Sequence, residues 1–478
     1  MRVILVVPPF SASAEAGAAK IKRGKLRPLP PLGLGYIAAV LEAHGHEVAL
    51  VDSQAGELDV HGAVEAVFAQ EPDIVGLSCF TAFAHVSYAL ADAIKARSAS
   101  TPVVLGGPHA TAFHETILAD CPSVDFVAPG EAEHVFAELV DCLSNGRSVA
   151  ETHGIVFKDD NGHPVSTPPA QPVRRLDELP PPARHVFSSH RYVPLPNQAR
   201  RMPATTAMTS RGCPWAKCRF CYQGGKYASP YRRRSPENVL EELRHLVREL
   251  GYREVLFWDD NFCLNERWIR RFCDLLDAEG LDLTWTVQGR VDTITRAMLH
   301  RMAASGCYNI FLGFESGNPG LLEVVDKGIT LEQIRRAVGW ANEAGLEIRG
   351  SFILGLPTET PAMSLKTVDF ACELDVDYMV FMPYHVQAGT ALEELALREG
   401  RIFEPKEFDY NKPSYVPNTY SGPEELAEMV RYAYRRYYLR PRYIARALWK
   451  ARRPAIARNY ARAFLHWYRL TRRNRVAQ

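Results

Sequence analysis

Short β-rich runs alternate with amphipathic helical stretches in two separate series, and this rhythm limits the fold of the 478-residue chain more than any other feature. The first series has its runs at 2–7, 47–51, 73–78, 102–106 and 124–128. Strands separated by helices are joined by crossovers and pair in parallel, so five of them predict an α/β domain over 1–146 built on a doubly wound, Rossmann-like sheet. Ligands of such sheets lie outside the carboxyl ends of the strands. Those ends carry Pro8-Pro9, Asp52-Ser53, Ser78-Cys79-Phe80-Thr81, Gly106-Gly107-Pro108-His109 and Pro129-Gly130-Glu131, small and glycine-rich edges that suit a large, flat ligand.

Gly33-Leu-Gly35-Tyr-Ile-Ala38 matches the dinucleotide-binding fingerprint, with Asp52 ending the next strand. Its position argues against a nicotinamide site. The fingerprint glycines form the turn directly after the first strand, whereas here about two dozen residues, including Pro28, Pro30 and Pro31, follow Val7.

Residues 147–196 lose the rhythm and fill with prolines, as in Thr167-Pro-Pro and Leu179-Pro-Pro-Pro182, which predicts a linker with a hairpin at Asp160-Asn-Gly. The second series then runs through 205–210, 254–258, 284–288, 309–313, 347–354 and 377–381, with helical patterns such as 236–250 and 331–344 between. Six βα units over 197–430 predict a partial (βα)6 TIM-type barrel. No apolar run is long enough to cross a bilayer and mean hydropathy is −0.17, so the chain is expected in the cytoplasm.

A net charge of +1 hides a division. Residues 431–478 hold 15 of the 56 Lys+Arg and none of the 55 Asp+Glu, leaving 41 cations against 55 anions, a formal −14, on the other 430 residues. Arg442, Arg446, Lys450 and Arg453 recur at helical spacing, as do Arg458, Arg462, His466 and Arg469 beside Ala461, Phe464, Leu465 and Tyr468. A basic helical tail of this kind suits peripheral contact with an anionic membrane, or packing across the acidic body of the same chain; single-stranded nucleic acid is a minor option.

Directly after the first run of the second series comes Arg211-Gly-Cys213-Pro-Trp-Ala-Lys-Cys218-Arg-Phe-Cys221. Ten cysteines are too few for a disulfide scaffold of this length, and three thiols in nine residues suit a metal in a reducing compartment. Three thiolates on an iron–sulfur cluster leave one iron open, whereas structural zinc takes four ligands; a zinc knuckle completed by a distant His or Cys is the alternative. Cys79, Cys121, Cys142, Cys263, Cys273, Cys307 and Cys372 read as ordinary buried thiols.

This loop resembles that of the radical S-adenosylmethionine (radical SAM) superfamily, in which three cysteines hold a [4Fe–4S] cluster whose open iron chelates SAM. The family usually has three residues between its first two cysteines and this chain has four, Pro214 to Lys217. The resemblance extends to the strand ends, where barrel folds keep their sites. Phe220 matches an aromatic position near the adenine, with a core Phe as its alternative. Trp258-Asp259-Asp260-Asn261-Phe262 looks like the second-strand motif, whose carboxylates Asp259 and Asp260 would accept from the SAM ammonium; a solvated turn is the alternative. By the same resemblance Arg290 would pair with the SAM carboxylate, Glu315 would hold the ribose hydroxyls, and Gly355, in Gly-Leu-Pro-Thr-Glu359, would let the backbone approach the adenine.

With that core in place, the first domain resembles the cobalamin-binding domain of one large subgroup, Pro-Pro-Leu-Gly-Leu-Gly-Tyr at 30–36 resembling its opening helix. Cobalamin contacts then fall to Pro9, Ser78, Thr81, Gly106, Gly107, Gly130 and Glu131. The Asp-x-His-x-x-Gly that supplies a histidine to cobalt in other cobalamin proteins is missing, since Val7 is followed by Pro-Pro-Phe-Ser; neither His109 nor His114 is assigned to the metal. The resemblance implies one-electron cleavage of SAM to an adenosyl radical, with the sheet domain capping the barrel mouth and methylcobalamin offering a methyl group. It favours a C-methyltransferase acting on a lipid or secondary metabolite and fed by an electron donor such as flavodoxin or ferredoxin. Ring formation is the rival, because Tyr437-Tyr-Leu-Arg-Pro-Arg-Tyr443 also looks like the magnesium-protoporphyrin ester cyclase group. A corrinoid sensor would have no use for the thiol loop, and a methylthiotransferase would want a further cysteine trio.

Overall fold

The computed structural model describes residues 1–10, 29–187, 192–195, 197–403 and 412–450, which form two compact units, Met1–Val193 and Pro194–Gln478. In the first unit β1 (Arg2–Val7), β2 (Glu47–Asp52), β3 (Ile74–Ser78), β4 (Val103–Gly106) and β5 (Phe126–Ala128) pair in parallel in the order β2-β1-β3-β4-β5. The apolar run of β1 fits a strand covered on both faces, and Val3 to Val6 are essentially inaccessible. Strand order reverses between β1 and β3, so a crevice opens beyond their carboxyl ends.

The proline-rich interval is not a free linker. Its hairpin at Asp160-Asn-Gly joins β6 (Val156–Lys158) to β7 (Pro164–Ser166), and β6 continues the sheet antiparallel to β5. Three-residue strands flanked by prolines leave too short an alternation to read from sequence. Gly33 and Gly35 lie inside the helix Leu32–Ala43, where a Cβ on Gly35 would meet the Phe187 ring at 2.7 Å. That glycine serves helix packing, which explains the false fingerprint.

In the second unit β8 (Ala204–Ala207) is followed by a two-residue ladder of β9 (Ser210–Arg211) and β10 (Arg232–Arg233). Then come β11 (Glu254–Phe257), β12 (Thr284–Gly289), β13 (Cys307–Glu315), β14 (Glu347–Leu354) and β15 (Tyr378–Pro383). All six long strands are parallel and neighbours in chain order, from β8 at one edge to β15 at the other. The helices between them start on side-chain caps: Ser235 for Pro236–Arg248, Asn265 for Glu266–Glu279, Thr330 with Gln333 for Leu331–Glu343, and Thr360 for Pro361–Glu373. Phe257, Phe262, Phe272 and Trp285 pack edge-to-face or tilted at ring separations of 5.2–6.1 Å at the centre of the core.

The first eight residues of the expected tail belong to this unit. They end the helix Pro423–Tyr438, and Tyr437 is inaccessible. The Tyr437–Tyr443 stretch staples the end of the fold: Tyr437 donates to the Val376 carbonyl at 2.6 Å, Tyr438 to that of Met379 at 2.8 Å, Tyr443 to that of Asp377 at 2.8 Å, and Arg440 caps the carbonyls of Cys372 and Leu374. Residues 451–478, with Arg453 and the 458–469 repeat, lie outside the described residues. Among the described residues no helix is long and apolar enough to cross a membrane.

Glu359, just after β14, is fully buried; its carboxyl accepts from Leu356 N at 2.9 Å and from the Ser364 hydroxyl. Burial outweighs these bonds and pushes its pKa up to about 7, against 4.5 in the unfolded chain. Between those values the folded protein keeps a proton that the unfolded chain has lost, so the contribution of Glu359 to stability is full below 4.5 and falls as pH rises to 7, by about 3 kcal/mol at most. Glu359→Gln can keep both contacts through its amide. Its melting temperature is expected to lack most of that slope, measured by thermal denaturation across the same pH range.

Candidate active site on the cysteine loop

Cys213, Cys218 and Cys221 all lie on the loop pinched shut by the β9–β10 ladder, which pairs Arg211 with Arg232 and Ser210 with Arg233. Close backbone approaches fix its shape. Gly212, at φ +78°, leaves no room for a Cβ, which would lie 2.5 Å from Ser229 O, and a Cβ on Gly224 would run into Cys218 O. Cys221 N donates to Cys218 O at 3.0 Å, Arg219 N to Val325 O at 2.9 Å, and Leu392 N to Arg219 O at 2.8 Å. The four-residue spacing is absorbed by Ala216 in the left-handed region and by Trp215, whose indole donates to Asp326 O at 2.9 Å and whose ring lies against Gly328 and 4.8 Å from the Arg290 guanidinium.

Two cations stand behind the thiols. Arg290 grips Asp292 through both arms at 3.0 Å, donates to Lys327 O at 2.6 Å and reaches Cys218 Sγ at 3.5 Å. It does not face outward toward a ligand carboxylate as expected, because a buried guanidinium has to spread its donors over protein acceptors. Lys327 Nζ lies 2.7 Å from Glu315 Oε1 and 5.9 Å from the Phe220 ring centre. Burial pushes both the Cys218 and Cys221 thiols up, Cys221 to about 11, while Lys327 pulls both down and Arg290 pulls Cys218 down.

The acidic pair divides. Asp259 is inaccessible and accepts from Thr209 N at 3.0 Å, Thr209 Oγ1 at 2.7 Å and Ser210 Oγ at 2.5 Å, so it ties β11 to the start of the cysteine loop instead of facing a ligand. Asp260 is exposed and accepts from Gln223 of that loop at 3.0 Å. Glu315 ends β13 at a register shift with φ +63°, and its carboxyl lies where a Cβ on Gly313 would be. Gly355, at φ +77°, admits Leu426 of the helix Pro423–Tyr438, 2.5 Å from where its Cβ would stand; its freedom serves that packing. Phe220 is half-buried against Leu321, Val325, Ile353 and Leu356.

In the first unit Ser78, Thr81, Gly106, Gly107, Gly130 and Glu131 fall at the carboxyl ends of β3, β4 and β5, beside a buried Pro9 after β1. Gly107, at φ +96°, is required where β4 meets β3, since a Cβ would lie 2.8 Å from Cys79 O. Gly130 and Gly106 are different: a Cβ meets nothing within 4 Å at the first and only Ala128 O at 3.8 Å at the second, so this edge is open as well as flat. His109 is buried between Tyr88, 2.9 Å from Nε2, and Thr81, 3.4 Å from Nδ1, and desolvation lowers its pKa to about 4. It is a neutral packing residue with both ring nitrogens engaged. Of the seven scattered cysteines six are buried and Cys372 is half-buried.

A B12 binding domain model matches residues 27–140, and a radical SAM superfamily model matches residues 208–371. An uncharacterized methyltransferase of Pyrococcus horikoshii is 34% identical over 451 residues, covering 94% of this chain and 95% of that protein. The chain belongs to the cobalamin-binding radical SAM superfamily. The anaerobic magnesium-protoporphyrin IX monomethyl ester cyclase of Rubrivivax gelatinosus is 26% identical over 92% of this chain and 78% of its own length. The fold is that of the radical SAM methyltransferase TsrM from Kitasatospora setae, with a TM-score of 0.68 at 21% identity over 90% of this chain and 82% of the other. Cofactors of this cobalamin radical SAM enzyme are a [4Fe–4S] cluster, SAM and cobalamin.

The residues present fit these groups. Three soft thiol donors share one loop with cations behind them, as an anionic cluster needs, and the open glycine edge of the first unit admits a flat macrocycle. Sequence reasoning missed Lys327 and Trp215. Their signal was weak, a Lys in an Asp-Lys-Gly turn and an aromatic within the insertion.

Proposed function

We propose that the protein is a cobalamin-dependent radical SAM C-methyltransferase acting on an unactivated carbon of a lipid or secondary metabolite. The observation that carries the radical SAM part of this reading is the three-thiol loop, clamped by backbone contacts and backed by Arg290 and the Lys327–Glu315 pair. Cys213, Cys218 and Cys221 are the cluster ligands, and Ser78, Thr81, Gly106, Gly107, Gly130 and Glu131 border the corrin. When bound, the cofactors supply one-electron and methyl-group chemistry, and the chain's task is to bind, orient and exclude water. Arg290 and Lys327 neutralise thiolate charge, Asp260 accepts from the SAM ammonium, and Phe220 lines the adenine side. Six parallel strands in chain order support a partial barrel around this site. Exposed Lys217, Arg219 and Lys226 on the outside of the loop suit an acidic electron donor such as a flavodoxin or ferredoxin.

Methyl transfer is preferred because the 34% identical Pyrococcus protein, matched over nearly its whole length, carries a methyltransferase name. Ring formation is the second reading, favoured by the likeness to the Rubrivivax cyclase over 92% of this chain. Anaerobic reconstitution with iron, sulfide and hydroxocobalamin, then incubation with SAM, a reductant and candidate substrates, tests both. Methylation yields 5′-deoxyadenosine together with S-adenosylhomocysteine. Deoxyadenosine alone with a cyclised product supports the second reading, and failure to retain corrinoid sinks both.

A further inference from the structure

The helix Pro441–Lys450 is inside out for a helix on a water-soluble surface. Its polar side is turned inward: Arg446 reaches Asn342 Oδ1 at 2.8 Å and Asp377 at 3.3 Å, Tyr443 donates to the Asp377 carbonyl at 2.8 Å, and Arg442 at the margin pairs with Asp375 at 2.7 Å. These contacts fix the rotation of the helix. At 100° per residue Ile444 and Leu448 then lie on the opposite arc, and Ala445 and Trp449 continue it round to the margin at Arg442. Ile444 is 44% exposed, Leu448 68% and Trp449 63%, with Leu439 at 54% in the preceding turn. Four large apolar side chains exposed on one short helix and the turn before it are of the kind that marks a docking surface.

Charge says what it docks on. Arg442 and Arg446 of the expected basic stripe are paired with Asp375 and Asp377, and the sequence of 451–478 adds eight arginines, no acid, and Phe464, Trp467 and Tyr468. An apolar arc followed in sequence by arginines and aromatics with no acid among them has the composition of an interfacial segment on anionic lipid. We propose that Ile444, Leu448 and Trp449 insert into the headgroup region of an anionic membrane and that the arginines beyond Lys450 hold the protein there. This holds whether the enzyme methylates or cyclises.

The test uses the full-length protein with vesicles of phosphatidylcholine alone or of phosphatidylcholine with phosphatidylglycerol, separated by flotation. The protein is expected to float with the anionic vesicles only. Leu448→Asp/Trp449→Asp should lower the floated fraction at least tenfold, and so, independently, should Ile444→Glu; all three side chains are exposed, so circular dichroism and bound iron should match the wild type. Equal flotation of variants and wild type overturns the proposal, as does no flotation with anionic vesicles. A wild-type dimer that the double variant converts to monomer in sedimentation, without lipid binding, also overturns it and gives the patch to a second copy. No cofactor is needed, so the outcome is separate from the enzymatic reading.

Discussion

Cys221→Ala is expected to lose essentially all cluster iron while keeping wild-type cobalamin uptake. Two thiols cannot hold a [4Fe–4S] cluster that already leaves one iron open, and no neighbour can replace the third. The charged side chains that act on the Cys221 thiol, apart from Cys218, are Lys327, a cation, and Asp260, already held by Gln223. The loop itself should survive, because its clamps are backbone bonds, Cys221 N to Cys218 O among them, and the β9–β10 ladder, none of which needs the sulfur. Removing the thiol also relieves a buried group whose ionisation burial opposes. The measurement is iron and acid-labile sulfide per chain after anaerobic reconstitution, beside the visible absorption of bound cobalamin. Iron at the wild-type level in Cys221→Ala would remove this cysteine from the ligand set; loss of cobalamin together with iron would mean global misfolding.

The two series of strands were legible because each is an apolar run wide enough to be covered on both faces, and the observed strands lie within a few residues of their expected positions. Ligand-bearing loops were legible for a topological reason: in parallel sheets every strand's carboxyl end falls on one edge. What each polar residue does there was not. Asp259 and Asp260 are adjacent and chemically identical, and only the donors Thr209 and Ser210, some fifty residues earlier, turn one into an internal brace. Arg290 was expected to meet a ligand, but Asp292 and Lys327 O occupy its fork. The freedom of Gly355 answers to Leu426, seventy-one residues later. Side-chain function at this site is set by tertiary partners, and their sequence separation hides them from pattern reading.

Lys327→Met is expected to destabilise the second unit by about 3–5 kcal/mol, on the order of 10 °C in its apparent melting temperature at pH 8. The methionine nearly matches the lysine in volume, so the loss is electrostatic. It leaves Glu315, 6% exposed and held at φ +63° against Gly313, as a buried carboxylate without its 2.7 Å partner. In the wild type burial opposes the Lys327 charge, yet Glu315 and Cys218 hold its pKa above the ordinary value, so the lysine is charged at neutral pH. In the variant the carboxylate keeps that buried place with no cation beside it. Adding Glu315→Leu removes the stranded charge and should restore most of the stability at every pH, because replacing a whole buried pair costs far less than breaking it. Thermal denaturation of both variants distinguishes the cases. A double variant no more stable than Lys327→Met alone would show that Lys327 acts through packing and not through charge. Cluster loading separates stability from role: a double variant that folds well but reconstitutes slowly with iron would place Lys327 as a positioning residue for the thiolates through its charge beside Cys218 and Cys221, whereas wild-type loading would confine the pair to the architecture of β13.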